Sequence, residues 1–315
     1  MGIESKIKEN VKLVDLTTFK IGGPARFLLE VETKEELKEA QKWAQQKEVE
    51  IFVLGGGSNV LVSDEGFDGL VLKFTNRDIE IQEKKAKCGA GASIARIIQE
   101  TSDLGLSGLE WAAGIPGMTA GGAIRGNAGA FGFKTSDLVR SVEVYNSSRD
   151  QWWEFTPEDC RFDYRESVFK YSPELIIWKA ELEFQEDDKN KIKETIKQNV
   201  QKRVDSQPRH PSAGSIFKNF TWEYLQNRAP SLADRAQYEG VVKGGKIGAG
   251  WVIDQFDFRG KKMGGAQVSE EHANFIINTG SASALDVITL VSYIKQKVRQ
   301  EFNLQLREEI QYVGF

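Results

Sequence analysis

Apolar positions along the chain change period several times, and each change marks an element. Residues 33–47 (TKEELKEAQKWAQQK) put Leu37, Ala40 and Ala44 on one face behind a Thr33/Glu36 capping-box pair, which predicts a surface helix. The apolar runs IFVL at 51–54 and GLVLKF at 69–74 read as buried strands flanking the loop GGGSN at 55–59. A β–α–β–loop–β order of this kind predicts a small α/β subdomain ending near residue 75. Next, KKAKCGAGASIARIIQE reads as a strand that turns at Gly89–Gly91 into a helix carrying Ile94, Ile97 and Ile98. Short strands VRSVEVYN, QWWEF and ELIIWKAELEF follow a glycine-rich stretch and predict a second, sheet-containing subdomain. Residues 189–204 read as a basic amphipathic helix with Ile192, Ile196, Val200 and Val204 inward. Pro208 and Pro211 break it and place a boundary near residue 206. In the last third, NFIINT reads as a strand. Residues 283–302 read as a long helix with Leu285, Ile288, Val291, Ile294, Val298 and Phe302 inward.

Composition narrows the function. A chain of 315 residues with 40% apolar and 28% charged residues has material for two or three folded domains. No apolar run approaches the roughly 20 residues that span a bilayer, and MGIESKIKEN has no hydrophobic secretory core. The expectation is a cytoplasmic protein with no membrane partner. A net charge of −4 gives no global basic field for nucleic acid, although a local patch can still hold an anion. Cys88 and Cys160 fit neither a disulfide framework nor a metal spacing, so no metal is expected.

Glycine is distributed unevenly. Of 30 glycines, 18 lie within residues 22–132 and none between 133 and 213. GGGSN after a buried strand offers consecutive unobstructed N–H groups suited to a pyrophosphate, where the plain alternative is a tight surface turn. GIPGMTAGGAIRGNAGAFG at 114–132 is apolar as well as glycine-rich. It reads as main chain laid along an extended cofactor, because a flexible linker favours serine and charge. GAGAS at 89–93 opens like a dinucleotide fingerprint but has Ile94 where the third glycine belongs.

Other segments are modest alone. FDYRESVFK at 162–170 sets Arg165 among aromatics, although most arginines make ordinary surface pairs. PSAGSIFKN at 211–219 brings Ser215, Lys218 and Asn219 after a small-residue turn, without the G-x-S-x-G elbow of a hydrolase. His272 in GGAQVSEEHANFIIN reads first as a structural histidine. Glu308 and Glu309 in LREEIQYVG alternate faces on a strand, so at most one enters a site.

Taken in order, TTFKIGGPARF, LGGGSNVLVSDEGFDGLVL, GLSGLEWAAGIPG, GGAIRGNAGAFG, YRESVFK, PSAGSIFKN, AGWVIDQ, GGAQVSEEHANFIIN and LREEIQYVG span residues 17 to 314. In these the chain resembles the UDP-N-acetylenolpyruvoylglucosamine reductases. The resemblance implies an α+β fold, with a two-subdomain FAD-binding module of the vanillyl-alcohol-oxidase type and an α/β substrate-binding domain. It implies subdomains at 1–75 and 76–205 and a substrate domain at 206–315, whose end returns to the active site. The implied reaction passes a hydride from NADPH to noncovalent FAD, and from flavin N5 to the enolpyruvyl group of a UDP-sugar. Ser215 matches the proton donor, Arg165 the catalytic arginine and Glu309 the catalytic carboxyl. Cofactor contacts are implied at Gly55, Gly56, Gly57, Ser58 and Asn59. The second loop supplies Gly114, Gly117, Gly121, Gly122, Ala123, Asn127, Ala128 and Gly129. Substrate contacts are implied at Arg165, Lys218, Asn219 and Lys246, with Tyr224, Tyr238 and Lys243 as further candidates. No obligatory protein partner is implied.

Three departures stand out: one extra residue in GIPGMTAGGA, Thr17 where asparagine is usual, and a long 220–248 stretch. The alternative is an FAD-dependent oxidase on the same fold. Both histidines, His210 and His272, lie outside the flavin domain, which excludes histidyl flavin there.

Overall fold

The computed structural model describes residues 2–315, which divide into two packed units. The first takes the chain up to Val11, Ala25–Gly56 and Phe67–Arg203; the second takes Lys12–Pro24, Gly57–Gly66 and Val204–Phe315. Residues 12–24 and 57–66 thus pack with the C-terminal third, whereas the sequence reading assigned them to a continuous stretch ending near residue 75.

In the first unit, Pro24–Val31, Phe67–Phe74 and Glu50–Leu54 form parallel neighbours, with Lys8–Lys12 on the outer edge. The crossover helix Lys34–Gln46 starts at the expected capping box and buries Leu37, Ala40, Trp43 and Ala44. A second sheet is antiparallel, in the order Gln151–Phe155, Val139–Asn146, Leu175–Glu183, Lys85–Gly89 and Ile79–Gln82. Because Lys85–Gly89 is antiparallel to both neighbours, GAGAS does not open a Rossmann βαβ unit. Buried Asn76 knits the sheets together. Its amide donates to the Trp178 carbonyl at 2.8 Å and its Oδ1 accepts from Gly91 N–H at 3.1 Å.

The helix Lys189–Ser206 departs from expectation on one point. Ile192 is buried, but the next inward positions are Asn199 and Arg203, while Val204 is 46% exposed. Strict four-residue spacing drifts about 40° per step around a helix of 3.6 residues per turn. The sequence 192–196–199–203 stays on one face, and 192–196–200–204 winds off it.

In the second unit, Ser212–Ser215, Phe275–Asn278, Ala266–Val268 and Lys262–Met263 form an antiparallel sheet in that order. The helix Ala284–Phe302 packs on it through Val287, Leu290, Val291, Ile294 and Val298. Leu285, expected inward, is 68% exposed. The inward stripe starts at Ala284 and Val287, each one position before the expected Leu285 and Ile288. A parallel pair, Val60–Val62 with Gln311–Val313, joins two distant parts of the chain within this unit.

Candidate functional site

The glycine loops of the first unit pack backbone against backbone. A Cβ on Gly56 would lie 1.4 Å from the Gly117 carbonyl oxygen, and one on Gly55 would lie 3.0 Å from Thr119 Oγ1. Only glycine permits that approach. The result is a continuous main-chain surface built from residues 55–56 and 117–122. Gly122 is exposed on it, with only Thr119 Oγ1 near its missing Cβ.

Other candidate positions serve the scaffold around this surface. Gly121 lies against Ala90, Gly114 against Val200 and Arg203, and Gly129 against Phe133. Ala123 is buried in the core, while Ala128 accepts hydrogen bonds from both Thr135 N–H and Thr135 Oγ1. The loop GGGSN divides: Gly57, Ser58 and Asn59 belong to the second unit. There Gly57 accepts from Thr18 N–H at 3.0 Å, and Asn59 donates to the Glu309 carbonyl at 3.1 Å.

Arg165 sits at the tip of a tight turn. Asp163 and Glu166 exchange backbone hydrogen bonds at 3.1 Å, and Arg165 adopts φ +57°. A non-glycine residue in that region stores about 1 kcal/mol or more of strain, so the surroundings must hold it. Buried Asn127 does so in part: its amide donates to the Asp163 carbonyl at 2.9 Å and its Oδ1 accepts from Ser136 N–H at 3.0 Å. Ser167 Oγ donates to the Arg125 carbonyl at 2.6 Å. Arg125, which no motif in the sequence singles out, is a half-buried cation whose pKa is pushed down by burial and pulled up by Glu166.

In the second unit, Ser215 ends the strand Ser212–Ser215 after Gly214 at φ +77° and pairs with Phe275. The following residue, Ile216, accepts from Glu309 N–H at 2.7 Å, and Lys218 N–H donates to the Arg307 carbonyl at 2.9 Å. The second unit therefore brings Ser215 and Glu309 together on adjacent backbone. Glu308 takes the other face and pairs with Lys295 at 2.6 Å, as strand alternation requires.

Ser215 lines a cavity of about 340 Å³ with Asn219, Trp251, Asp254, His272 and Asn274. Asn219 Oδ1 accepts from Ala249 N–H at 3.1 Å. Asp254 holds Arg259, also on the cavity, through bonds of 2.7 and 2.8 Å, and this pairing raises the Arg259 pKa. Burial pushes the His272 pKa down, and its Nδ1 accepts from Asn274 N–H at 3.1 Å. The neutral ring therefore carries its proton on Nε2. Of the 220–248 candidates, Tyr224 accepts from Gln305 N–H at 3.2 Å and stacks on Phe220, and Tyr238 is exposed at the end of the helix Pro230–Tyr238. Lys243 and Lys246 form a small backbone-bonded turn.

Among the described residues no cluster of His, Cys, Asp or Glu has the make-up of a metal site. Among the same residues no helix is long and apolar enough to cross a membrane. Burial pushes the Cys88 and Cys160 thiols up to about 12, which leaves them unreactive.

Comparison with known proteins agrees with this geometry. Residues 25–151 match the FAD binding domain family, and residues 206–313 match the family described as UDP-N-acetylenolpyruvoylglucosamine reductase, C-terminal domain. The UDP-N-acetylenolpyruvoylglucosamine reductase of Carboxydothermus hydrogenoformans is 39% identical, over 99% of this chain and 95% of its own length. That of Solibacter usitatus is 36% identical, over 95% and 94%. The crystal structure of UDP-N-acetylenolpyruvylglucosamine reductase from Thermus caldophilus superposes with a TM-score of 0.77 at 34% identity, covering 98% of this chain and 99% of that one.

The loops, the matched families and the relatives together define a flavoprotein oxidoreductase with an FAD-binding domain. The residues present suit FAD, because the 55–56 and 117–122 backbone leaves an exposed glycine face that side chains would fill. The chain belongs to the UDP-N-acetylenolpyruvoylglucosamine reductase family.

Proposed function

We propose that the chain reduces UDP-N-acetyl-3-O-(1-carboxyvinyl)glucosamine to UDP-N-acetylmuramate at the expense of NADPH, for peptidoglycan precursor synthesis. The observation that carries this reading is the pairing of Ser215 with Glu309 through the Ile216 carbonyl, on a strand that borders the cavity. FAD, when bound, supplies hydride transfer from the nicotinamide to the enolpyruvyl β-carbon. Arg165 is assigned the substrate carboxylate, where its guanidinium stabilises the enolate charge that develops as hydride arrives. Ser215 then gives its hydroxyl proton to the α-carbon, a neutral donor that adds no charge to the bound ground state. Glu309 acts protonated, donating a hydrogen bond to the same carboxylate group.

Lys218, Asn219 and Lys246 are assigned to the diphosphate, and the 55–59 and 114–129 loops to noncovalent FAD. The first unit is assigned the cofactor subdomains, and the second unit, with residues 12–24 and 57–66 added to the C-terminal third, the substrate domain. The only partner required is the sugar nucleotide; no nucleic acid, membrane or obligatory protein partner enters. A cytoplasmic location goes with the use of NADPH. Anaerobic NADPH should bleach the flavin, and the enolpyruvyl sugar nucleotide should restore its colour. Failure of NADPH to bleach it, or recolouring by oxygen alone, would replace the reductase with another flavoenzyme.

A further inference from the structure

We propose that Asn274 is a positioning residue for Ser215 and Glu309, a side chain that completes the sheet at the point where both emerge. The ladder between Ser212–Ser215 and Phe275–Asn278 stops at the pair Ser215–Phe275, because the partner chain turns away. In that turn Phe275 N–H donates to the His272 carbonyl, and Ser269 N–H to the Phe275 carbonyl, both at 2.9 Å. Asn274 fills the gap. Its backbone carbonyl accepts from Ile216 N–H at 2.9 Å. Its Oδ1 accepts from Phe217 N–H at 2.9 Å and its Nδ2 donates to the Phe217 carbonyl at 2.8 Å. A carboxamide carries the same donor and acceptor as a peptide unit, so the side chain stands in for the strand residue that is missing. Asn274 is 3% exposed, so in the folded protein these groups are satisfied by one another rather than by bulk water.

Two further features give this clamp a chemical consequence. Upstream of Ser215, Gly214 sits at φ +77° with nothing within 4 Å of its missing Cβ, so no neighbouring atom packs on that side of the residue before the serine. On the downstream side, beyond the last ladder pair, Asn274 holds the next two residues. On the opposite edge, Ile216 accepts from Glu309 N–H at 2.7 Å. A shift of the Ile216–Phe217 peptide therefore moves the proton donor and the carboxyl together. His272 Nδ1, accepting from Asn274 N–H, secures the clamp from behind.

The inference rests on the reductase reading, and the test separates the two. Holoenzyme carrying Asn274→Asp or Asn274→Ser is compared with wild type in anaerobic stopped flow. Flavin bleaching by NADPH should stay within about twofold, whereas recolouring by saturating enolpyruvyl sugar nucleotide should slow by about tenfold or more. The Asp variant faces the Phe217 carbonyl with an oxygen. Its recolouring rate, taken relative to wild type, should recover as acidification protonates that carboxyl and restores a donor; the Ser variant should show no recovery. Equal slowing of both half-reactions, weaker substrate binding at an unchanged limiting rate, or no change would each overturn the positioning role. If aspartate prevents folding, the serine variant decides by the same split. Wild type that substrate fails to recolour would instead overturn the reductase reading itself.

Discussion

Arg203 donates through Nη2 to the carbonyl oxygen of Trp111 at 2.7 Å and through Nη1 to that of Ala113 at 2.8 Å. The residue is only 6% exposed, and its guanidinium lies 4.9 Å from the centre of the Phe131 ring. This arginine ties the helix Lys189–Ser206 to the segment that leads into the second glycine loop. Arg203→Met should leave two buried carbonyls without donors and cost about 2–4 kcal/mol. Arg203→Lys should cost less, since one donor survives. Urea denaturation measures both, and a loss under about 1 kcal/mol for the methionine variant would mean that water reaches the carbonyls.

Two glycines that look alike in the motifs should behave differently. Gly56→Ala would drive a methyl into the Gly117 carbonyl, and it should destabilise the first unit by about 3 kcal/mol or more. Gly122→Asp meets only Thr119 Oγ1 at 3.3 Å, so the protein should fold. Its carboxylate should repel the cofactor diphosphate, giving a colourless protein of near-native thermal midpoint. A fully yellow Gly122→Asp protein would remove this loop from the cofactor site.

Ser215→Ala separates the half-reactions. Bleaching by NADPH needs no proton at the substrate α-carbon and should proceed at the wild-type rate. Recolouring by substrate should slow by roughly 10²–10⁴-fold, the usual worth of general acid catalysis. Ser215→Cys, which keeps a donor, should recover part of that loss. Equal slowing of both phases in stopped flow would make Ser215 a shared structural element.

Protonation of His272 should show in stability. Burial holds its pKa below the ordinary value of about 6.5. Above that value the ring is neutral in both folded and unfolded chains, and its contribution is fully present. As pH falls below it, the unfolded chain binds a proton that the buried ring resists, so stability declines toward the lowered pKa. The thermal midpoint should drop between about pH 7.5 and 5.5. His272→Asn, whose Oδ1 can replace Nδ1 as the acceptor for Asn274 N–H, should flatten that drop. An unchanged slope would assign the pH dependence to other groups.

Local periodicity made much of this architecture readable in advance. The capping box at Thr33 and the alternation that separates Glu308 from Glu309 both follow from neighbours a few residues apart. Arg203 was not readable, because a charged residue on a basic helix implies solvent, and only distant carbonyls make its burial tolerable. Asn274 was hidden for a related reason: a carboxamide that imitates a peptide leaves no pattern in sequence. The assignment of residues 57–66 to the second unit depends on a three-residue strand. Its partner lies some 250 positions away, beyond the reach of any local signal.

That distant pairing bears on how the protein is made. Val60, Leu61 and Val62 wait for Gln311, Tyr312 and Val313, and Asp64 waits to cap the helix Ala284–Phe302 through Ala284 N–H at 2.8 Å. As the chain leaves the ribosome, residues 57–66 appear early and have no sheet to join until residues 311–313 have emerged. Residues 206–313 expressed alone would lack that strand and that cap, and would leave the edge of Gln311–Val313 open to aggregation. Nascent chains stalled short of residue 311 expose the matching edge at Val60–Val62.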